Sequence, residues 1–218
     1  MMGTVTIAAT YGAGGSVIAP AVAERLGLPL VERAIPVPVA ERIHEPLQAA
    51  LADDTEHSTM IGRVLDSVLQ TSGLFVGVTQ GPEALGVVPD IAQTEAILRR
   101  LAEDGGAVIL GRAAVFVLKG HPNVLHVRLD GDVEARRRSA MARQGLDYDA
   151  ATRTQQQTDR ARRAYVHHFY PRAGSWEDPR HYHLVLDSTV ISIDACTEII
   201  VRAARDLFGA SNQMSGRS

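Results

Sequence analysis

The chain has 218 residues, of which 45% are hydrophobic and 22% charged, proportions typical of a globular protein with one core or one core carrying a small mobile insertion. No apolar stretch approaches the roughly 20 residues that span a bilayer, and the N-terminus has no signal-peptide pattern, so we expect a cytoplasmic protein without a membrane segment. A net charge of −3 gives no general reason to bind nucleic acid, and the single cysteine, Cys196, excludes a disulfide framework and a cysteine-based zinc site.

Five short apolar runs predict the strands of an α/β fold. They lie at residues 4–9, 28–32, 107–110, 124–129 and 183–186. Apolar residues at helical spacing predict helices near 38–52, 57–72, 90–104, 132–144, 149–170 and 192–208, and the polar tail 210–218 is predicted to be disordered. Strands that alternate with helices predict a parallel sheet covered on both faces.

The first strand runs directly into a glycine-rich turn, Gly12-Ala13-Gly14-Gly15-Ser16, and then into a helical pattern that ends at Gly27. Such a turn forms an anion site, because backbone N–H groups point inward and the helix N-terminus adds partial positive charge. The Walker pattern is matched only in part, since Ala9 stands at its first glycine and Gly15 at its lysine. A purely structural turn is the alternative. Pro20 requires either that the regular helix begin close to it or that the first turns be distorted.

Polar and charged groups also follow other predicted strands. They are Glu32-Arg33, Gly111-Arg112 and Asp187-Ser188-Thr189. Because ligands of open parallel sheets bind at the carboxyl ends of the strands, we expect these groups and the glycine-rich turn to converge on one site.

The arginines are unevenly distributed. The chain has 21 arginines and one lysine, and residues 136–172 contain nine arginines against three acids. The planar guanidinium holds phosphate through two parallel hydrogen bonds, so this segment suggests a local anionic ligand. The alternative is a solvated helix surface.

Several motifs in order along the chain resemble the cytidylate kinase-like family, whose members carry a Tyr-Gly-Ser-Gly-Gly loop in place of a standard Walker motif. The matching segments are VTIAATYGAGGSVIAPAVAERLGLPLVER, AVILGRAAVFVL, Asp159-Arg160-x-Arg162 with Tyr165, Trp176-Glu177-Asp178-Pro179 and HYHLVLDST, which together span about residues 4–206. The resemblance implies a three-layer α/β P-loop kinase fold with a five-stranded parallel sheet. It further implies a single domain, 1–209, with core segments 1–35, 105–135 and 180–209, a helical nucleoside monophosphate-binding insertion at about 36–104 and an arginine-rich lid at about 136–179.

The resemblance also implies roles for individual residues. The donor phosphates of ATP would bind Gly12, Ala13, Gly14, Gly15 and Ser16, with the Ser16 hydroxyl facing Mg²⁺. The acceptor would contact Glu32, Arg33 and Arg112, the last through its phosphate. Arg160 and Arg162 would neutralise the transferring group and Asp159 would orient them, so these three residues and Arg112 are the expected catalytic set.

The chain departs from the family pattern at the donor site. Ala8-Ala9-Thr10 replaces a polar Ser-Arg-Glu trio, and Ser16-Val17 replaces Arg-Glu, so a family arginine is missing as well as the Walker lysine. The expected function is transfer of the ATP γ-phosphate to a nucleoside monophosphate such as CMP or to a related small acceptor. The alternative is a degenerate kinase that binds a nucleotide or phosphate ligand in a regulatory role. No nucleic acid or membrane partner is expected, and homodimerisation is left open.

Other groups suggest weaker sites. His181 and His183, with His167-His168, have a spacing that zinc ligands can show, but polar residues at a sheet end are the favoured interpretation. Asp130 and Asp187 follow strands and could hold Mg²⁺ through water or serve as caps and turn residues. Trp176 could stack on a base, although packing of the lid is the favoured interpretation.

Overall fold

The structure is a computed structural model that describes residues 3–31, 91–111 and 113–215, without the side chains of Ile91, Gln93 and residues 211–215. These residues belong to one compact unit. The helices predicted at 38–52 and 57–72, and most of the predicted insertion, lie outside the described residues. The division of the chain into core, insertion and lid therefore stays a prediction.

Five parallel strands form one sheet, as the sequence predicted. They are β1 (Thr4–Ala9), β2 (Leu30–Val31), β3 (Val108–Leu110), β4 (Val124–Asp130) and β5 (Leu184–Asp187). Their order in the sheet is β2-β3-β1-β4-β5, which places β1 at the centre. The α/β fold with a five-stranded parallel sheet is confirmed.

The strand register brings several carboxyl ends to one edge of the sheet. Ile7 pairs with Leu110, Ala9 with Leu129, and Asp130 with Asp187. The segments that follow β1, β4 and β5 therefore begin next to one another. This is the edge at which ligands of open parallel sheets bind.

Helices connect the strands. They are α1 (Gly15–Leu26), α2 (Ile91–Asp104), α3 (Ala114–Val117), α4 (Val133–Gln144), α5 (Tyr148–Phe169) and α6 (Ile193–Ser215), with a 3₁₀ turn at Pro179–His181. Asp132 and Asp147 cap α4 and α5, since their carboxylates accept the N–H groups of Ala135 and Ala150 at 2.9 Å and 2.7 Å. No helix in the described ranges is both long and apolar enough to cross a bilayer.

Alternating side chains of the strands pack on both faces of the sheet. Val5 and Ile7 lie in one cluster with Ile18 of α1 and Ile200 of α6. On the other face, Ile109 packs in a cluster with residues of α2 and α3, Leu98 and Val117. Cys196 is fully buried in the first cluster, as expected for a core residue. Helices therefore cover the sheet on both sides.

Two local details differ from, or decide between, the expectations. Helix α1 begins at Gly15 and contains Pro20, so the regular helix begins before the proline. Helix α6 continues to Ser215, whereas the sequence predicted an end at residue 208 and a disordered tail from 210. The segment GASNQMS contains no proline, and its glycine, Gly209, weakens a helix without preventing it.

Helices α4 and α5 form a hairpin joined by the short turn at Gly145, which ends α4 in the left-handed conformation. Gln155 links the two helices. Its side-chain oxygen accepts the Arg137 Nε–H at 3.1 Å, and its amide donates to the Val133 carbonyl at 2.9 Å. Gln155 is 2% exposed, and both its side-chain oxygen and its side-chain nitrogen are hydrogen-bonded, so this residue fixes α4 and α5 to each other.

Candidate phosphate-binding site

The glycine-rich turn between β1 and α1 has a backbone that only small residues permit. Gly12 and Gly14 have φ of 83° and 75°, in the left-handed region. A Cβ on Gly12 would collide with the Arg136 carbonyl oxygen, and one on Gly14 would lie 2.6 Å from Ile193 Cδ1. Both glycines are therefore required by conformation and by close packing.

Four backbone N–H groups of this turn have no acceptor among the described residues. They belong to Gly12, Gly14, Gly15 and Ser16. Gly14 is the N-cap of α1 and supplies no side-chain cap, and the first turn of α1 contains no acidic residue. The positive N-terminus of α1 therefore has no negative cap or first-turn acid among the described residues, and this end of the helix suits an anion.

The carbonyl groups of the same turn are held by side chains from other elements. Arg162 donates to the Ala9 oxygen at 2.7 Å, Arg136 to the Tyr11 oxygen at 2.8 Å and Ser188 to the Ala13 oxygen at 2.7 Å. Arg143 donates to the Gly12 oxygen. Because donors occupy these carbonyls, the hydrogen-bonding capacity left in the turn consists of N–H groups, as an oxyanion ligand requires.

Asp159 of α5 joins the turn to the arginines. Its Oδ1 accepts the Tyr11 N–H at 2.8 Å and lies 3.3 Å from Arg162 Nη1, while its Oδ2 accepts from Arg136 Nη1 at 3.0 Å. The side chains of Asp159 and Arg136 are 10% and 7% exposed. One buried carboxylate thus fixes the turn and two guanidinium groups together.

Asp130, at the end of β4, forms ion pairs in this fold. Its carboxylate accepts from Arg128 at 2.6 Å and from the Thr10 hydroxyl at 2.9 Å, and it lies 3.6 Å from Arg136 Nε. Burial acts to raise the pKa of Asp130, but the Arg128 hydrogen bond and charge, with Thr10 and the Gly131 backbone, hold that pKa below its usual value. Asp187 similarly binds the Thr189 N–H at 2.9 Å in a turn. Asp187 therefore has the predicted turn role, whereas Asp130 binds two arginines and the Thr10 hydroxyl, and the cap of α4 is Asp132.

Trp176 and the histidines serve the packing of the sheet. The Arg128 guanidinium lies 4.5 Å from the Trp176 ring centroid, and Trp176 is buried, so its ring is not a free stacking platform. His183 stacks on His126 and its Nδ1 accepts the His126 N–H at 3.0 Å. Within the described ranges, no three His, Cys, Asp or Glu side chains lie together as a metal site would need.

The structure brings together part of the predicted site. Asp159 accepts the N–H of Tyr11, which directly precedes the turn from Gly12 to Ser16, and Arg162 contacts Asp159 and the Ala9 carbonyl oxygen. The side chain of Arg160 is exposed and forms no hydrogen bond or ion pair with the described part of the chain. Asp159 contacts Arg162, one of the two arginines that it was predicted to orient, and the other arginine in contact with Asp159 is Arg136, not Arg160. The remaining predicted residues, which are Glu32, Arg33 and Arg112, lie outside the described residues.

Sequence reasoning did not single out two arginines of α4, Arg136 and Arg143, that contact the turn. The density of arginine from residue 136 onward was the available signal, but density alone does not select individual residues. The sequence indicated only that Ser188 follows a strand, and in the structure its hydroxyl donates to the Ala13 carbonyl oxygen.

A parallel sheet whose central strand leads through a glycine-rich turn into a helix is the arrangement of a P-loop kinase-type α/β protein. The sequence model of the cytidylate kinase-like family matches residues 4–190, and the chain therefore belongs to that family.

Solved structures agree with this fold. An uncharacterized protein from Eubacterium ventriosum ATCC 27560 is 20% identical with a TM-score of 0.62, over 93% of this chain and 98% of that one, which shows a shared fold. A gluconokinase from Sinorhizobium meliloti 1021 (16% identity, TM-score 0.46, 96% and 97% covered) and a shikimate kinase from Bacteroides thetaiotaomicron (13%, 0.41, 96% and 99%) are more distant, and nothing further rests on them. No curated protein matches the sequence significantly.

Proposed function

We propose that the protein is a phosphotransferase that moves the γ-phosphate of ATP to a nucleoside monophosphate such as CMP, or to a related small acceptor. The observation that carries this proposal is the turn from Gly12 to Ser16, in which four N–H groups have no acceptor among the described residues and Arg143 of α4 contacts the Gly12 carbonyl. Arg136 of α4 and Arg162 of α5 hold the carbonyl groups of Tyr11 and Ala9, just before the turn. Membership of the cytidylate kinase-like family supports the reaction class.

The residues present fit a nucleotide phosphate and Mg²⁺. The free N–H groups and the uncapped N-terminus of α1 suit the phosphate oxygens. Ser16 is exposed in the first turn of α1, and its hydroxyl oxygen is a suitable ligand for Mg²⁺. When bound, Mg²⁺ would neutralise charge on the phosphate oxygens.

The reaction asks the protein for positioning and charge neutralisation. An oxygen of the acceptor phosphate forms a bond to the γ-phosphorus as the bond from that phosphorus to the bridging oxygen of ADP breaks. The phosphate of a nucleoside monophosphate is already an oxyanion, so this acceptor needs no activated nucleophile. By family resemblance, Glu32, Arg33 and Arg112 would hold the acceptor, and Arg160 and Arg162 would neutralise the transferring group. We expect the reaction to take place in the cytoplasm.

A second candidate is a protein that binds a nucleotide without turning it over. Two observations favour it: no lysine stands in the turn, and Arg162 already holds a backbone carbonyl and Asp159. Turnover decides between the candidates. We would measure ADP release with a panel of nucleoside monophosphates and small hydroxylated metabolites, together with MgATP binding. ATP binding without product from any acceptor would favour the second candidate.

The position of the donor site is tested by a charge placed at Ser16. A glutamate in the first turn of α1 favours the helix by about 0.3–1 kcal/mol, yet it would repel a phosphate bound there. Ser16→Glu should therefore keep or raise the melting temperature while weakening MgATP binding at least about tenfold. Ser16→Gln, which is nearly the same size and uncharged, is the matched control. Equal MgATP affinity of the two variants would place the donor site elsewhere.

A further inference from the structure

The turn has no room for a cation of its own at the position of the Walker lysine. An ideal Cβ on Gly15 would lie 2.7 Å from Ala9 Cβ and 3.2 Å from Leu110 Cδ1. Ala9 and Leu110 are both buried at the ends of β1 and β3. A positive charge at the donor phosphates must therefore come from another part of the chain.

Two of the three arginines that contact the turn are already paired with carboxylates. Arg136 is buried between Asp159 and Asp130, at 3.0 Å and 3.6 Å. Arg162 lies 3.3 Å from Asp159. Their charges are partly balanced within the protein, so these two arginines leave less positive charge for the donor phosphates.

Arg143 differs from these two arginines. It is exposed, it forms no ion pair with an acid of the described segments, and its Nη2 donates to the Gly12 carbonyl. Its Nη1 lies 3.6 Å from the point where a Cβ on Gly14 would stand, beside the free N–H groups. The loss of water around the guanidinium lowers the pKa of Arg143, so its charged form lacks full compensation and an anion would stabilise it.

The neighbouring residue anchors this end of α4 to the turn. The Tyr11 hydroxyl donates to the Gln144 side-chain oxygen at 2.7 Å, and α4 ends there at Gly145. Tyr11 is 9% exposed. Because the anchor is adjacent to Arg143 in sequence, the guanidinium stays within reach of the turn.

We propose that Arg143, carried by the α4–α5 hairpin, contacts the donor phosphates and takes the place of the missing Walker lysine. The proposal rests on the proposed function, in that it names the cation of the same donor site. Guanidinium can give a phosphate two parallel hydrogen bonds, so the Nη1 and Nη2 groups suit this task.

The test compares Arg143→Gln with Arg138→Gln, which removes an exposed arginine from the same helix. Calorimetric titrations with MgATP and with inorganic tripolyphosphate should show dissociation constants raised about tenfold or more by Arg143→Gln and changed less than about twofold by Arg138→Gln. Arg143→Lys should be intermediate. Thermal unfolding without ligand should be nearly the same for all three variants, because Arg143 is exposed.

The outcomes separate this proposal from the proposed function. Equal affinities of the two glutamine variants for both probes would overturn the role of Arg143, and a wild type that still phosphorylates an acceptor would leave the proposed function standing. If either probe binds the wild type and Arg143→Gln weakens that binding, the role of Arg143 is supported. If in addition no acceptor yields product, the phosphotransferase is rejected. A wild type that binds neither probe would overturn both.

Discussion

The Cβ of Ala9 blocks a side chain at position 15, because an ideal Cβ on Gly15 would lie only 2.7 Å from it. Ala9 is the last residue of β1, and Gly15 is the first of α1. The Walker pattern has a glycine where this chain has Ala9 and a lysine where it has Gly15. In this chain the side chain is therefore at position 9 and not at position 15. The two departures from that pattern are therefore sterically linked.

The first prediction concerns this pair. Gly15→Ala should lower the free energy of unfolding by about 1–3 kcal/mol through overpacking. Ala9→Gly should cost about 0.5–1 kcal/mol because it places a glycine in a strand. The double variant should be more stable than the sum of the two changes predicts, by at least about 0.5 kcal/mol, because Ala9→Gly removes the collision. Urea unfolding measures all four proteins of the cycle, and simple additivity would contradict the steric link.

The second prediction concerns Asp159, whose carboxylate holds the Tyr11 N–H, Arg136 and Arg162. Asp159→Asn leaves the buried charge of Arg136 without its closest partner, and we expect a loss of about 3–5 kcal/mol in the free energy of unfolding. Asp149→Asn, at an exposed position in the first turn of the same helix, is the control and should cost no more than about 1 kcal/mol. If both variants lose similar amounts, Asp159 does not organise the turn.

The third prediction concerns Arg162. Arg162→Ala should lower kcat about 100-fold if the guanidinium neutralises the transferring group. The contacts with the Ala9 carbonyl and Asp159 lead us to expect in addition a loss of about 1–3 kcal/mol in the free energy of unfolding. Arg163→Ala breaks only an exposed ion pair with Glu177 and should leave both measurements almost unchanged. Steady-state kinetics together with urea unfolding would reveal a purely structural role as a stability loss with normal kcat.

The fourth prediction is a pH dependence that comes from His126. Burial first, and then the charge of His183, lowers the pKa of His126 to about 4, against an ordinary value of 6.5. Between these two values the unfolded chain binds a proton that the folded protein does not, so stability falls as the pH is lowered from 6.5 toward 4. The full effect of this group is about 3 kcal/mol.

Urea unfolding at a series of pH values checks the contribution of His126. His126→Gln can keep a hydrogen bond to Thr6, whose hydroxyl lies 2.7 Å from His126 Nδ1, and should flatten the curve between pH 6.5 and 4. His167→Gln, at an exposed position, should leave the curve as in the wild type. A slope that survives His126→Gln would assign the acid sensitivity to other groups.

Much of the fold followed from the sequence because each signal was local. Short β-branched runs, helical periodicity and the glycine-rich turn are set by neighbouring residues, and β1 was predicted at the residues where it occurs. Strand β2 was predicted to begin at residue 28, whereas it begins at Leu30, and Leu30 and Val31 pair with β3. Pairing depends on the partner strand, which a single segment does not contain.

The sequence also determined that a charged site follows the strands, but not which arginines serve it. In helix α5, Asp159 and Arg162 are three residues apart and share a face, whereas Arg160 is rotated about 100° from Asp159. The sequence alone contained this spacing. Only the packing of α5 on the turn decided that the face with Asp159 is the inner one. Only the hairpin with α4 brought Arg136 and Arg143 to the carbonyl groups of Tyr11 and Gly12. Contacts over more than 100 positions depend on how whole elements pack, so they belong to the tertiary structure.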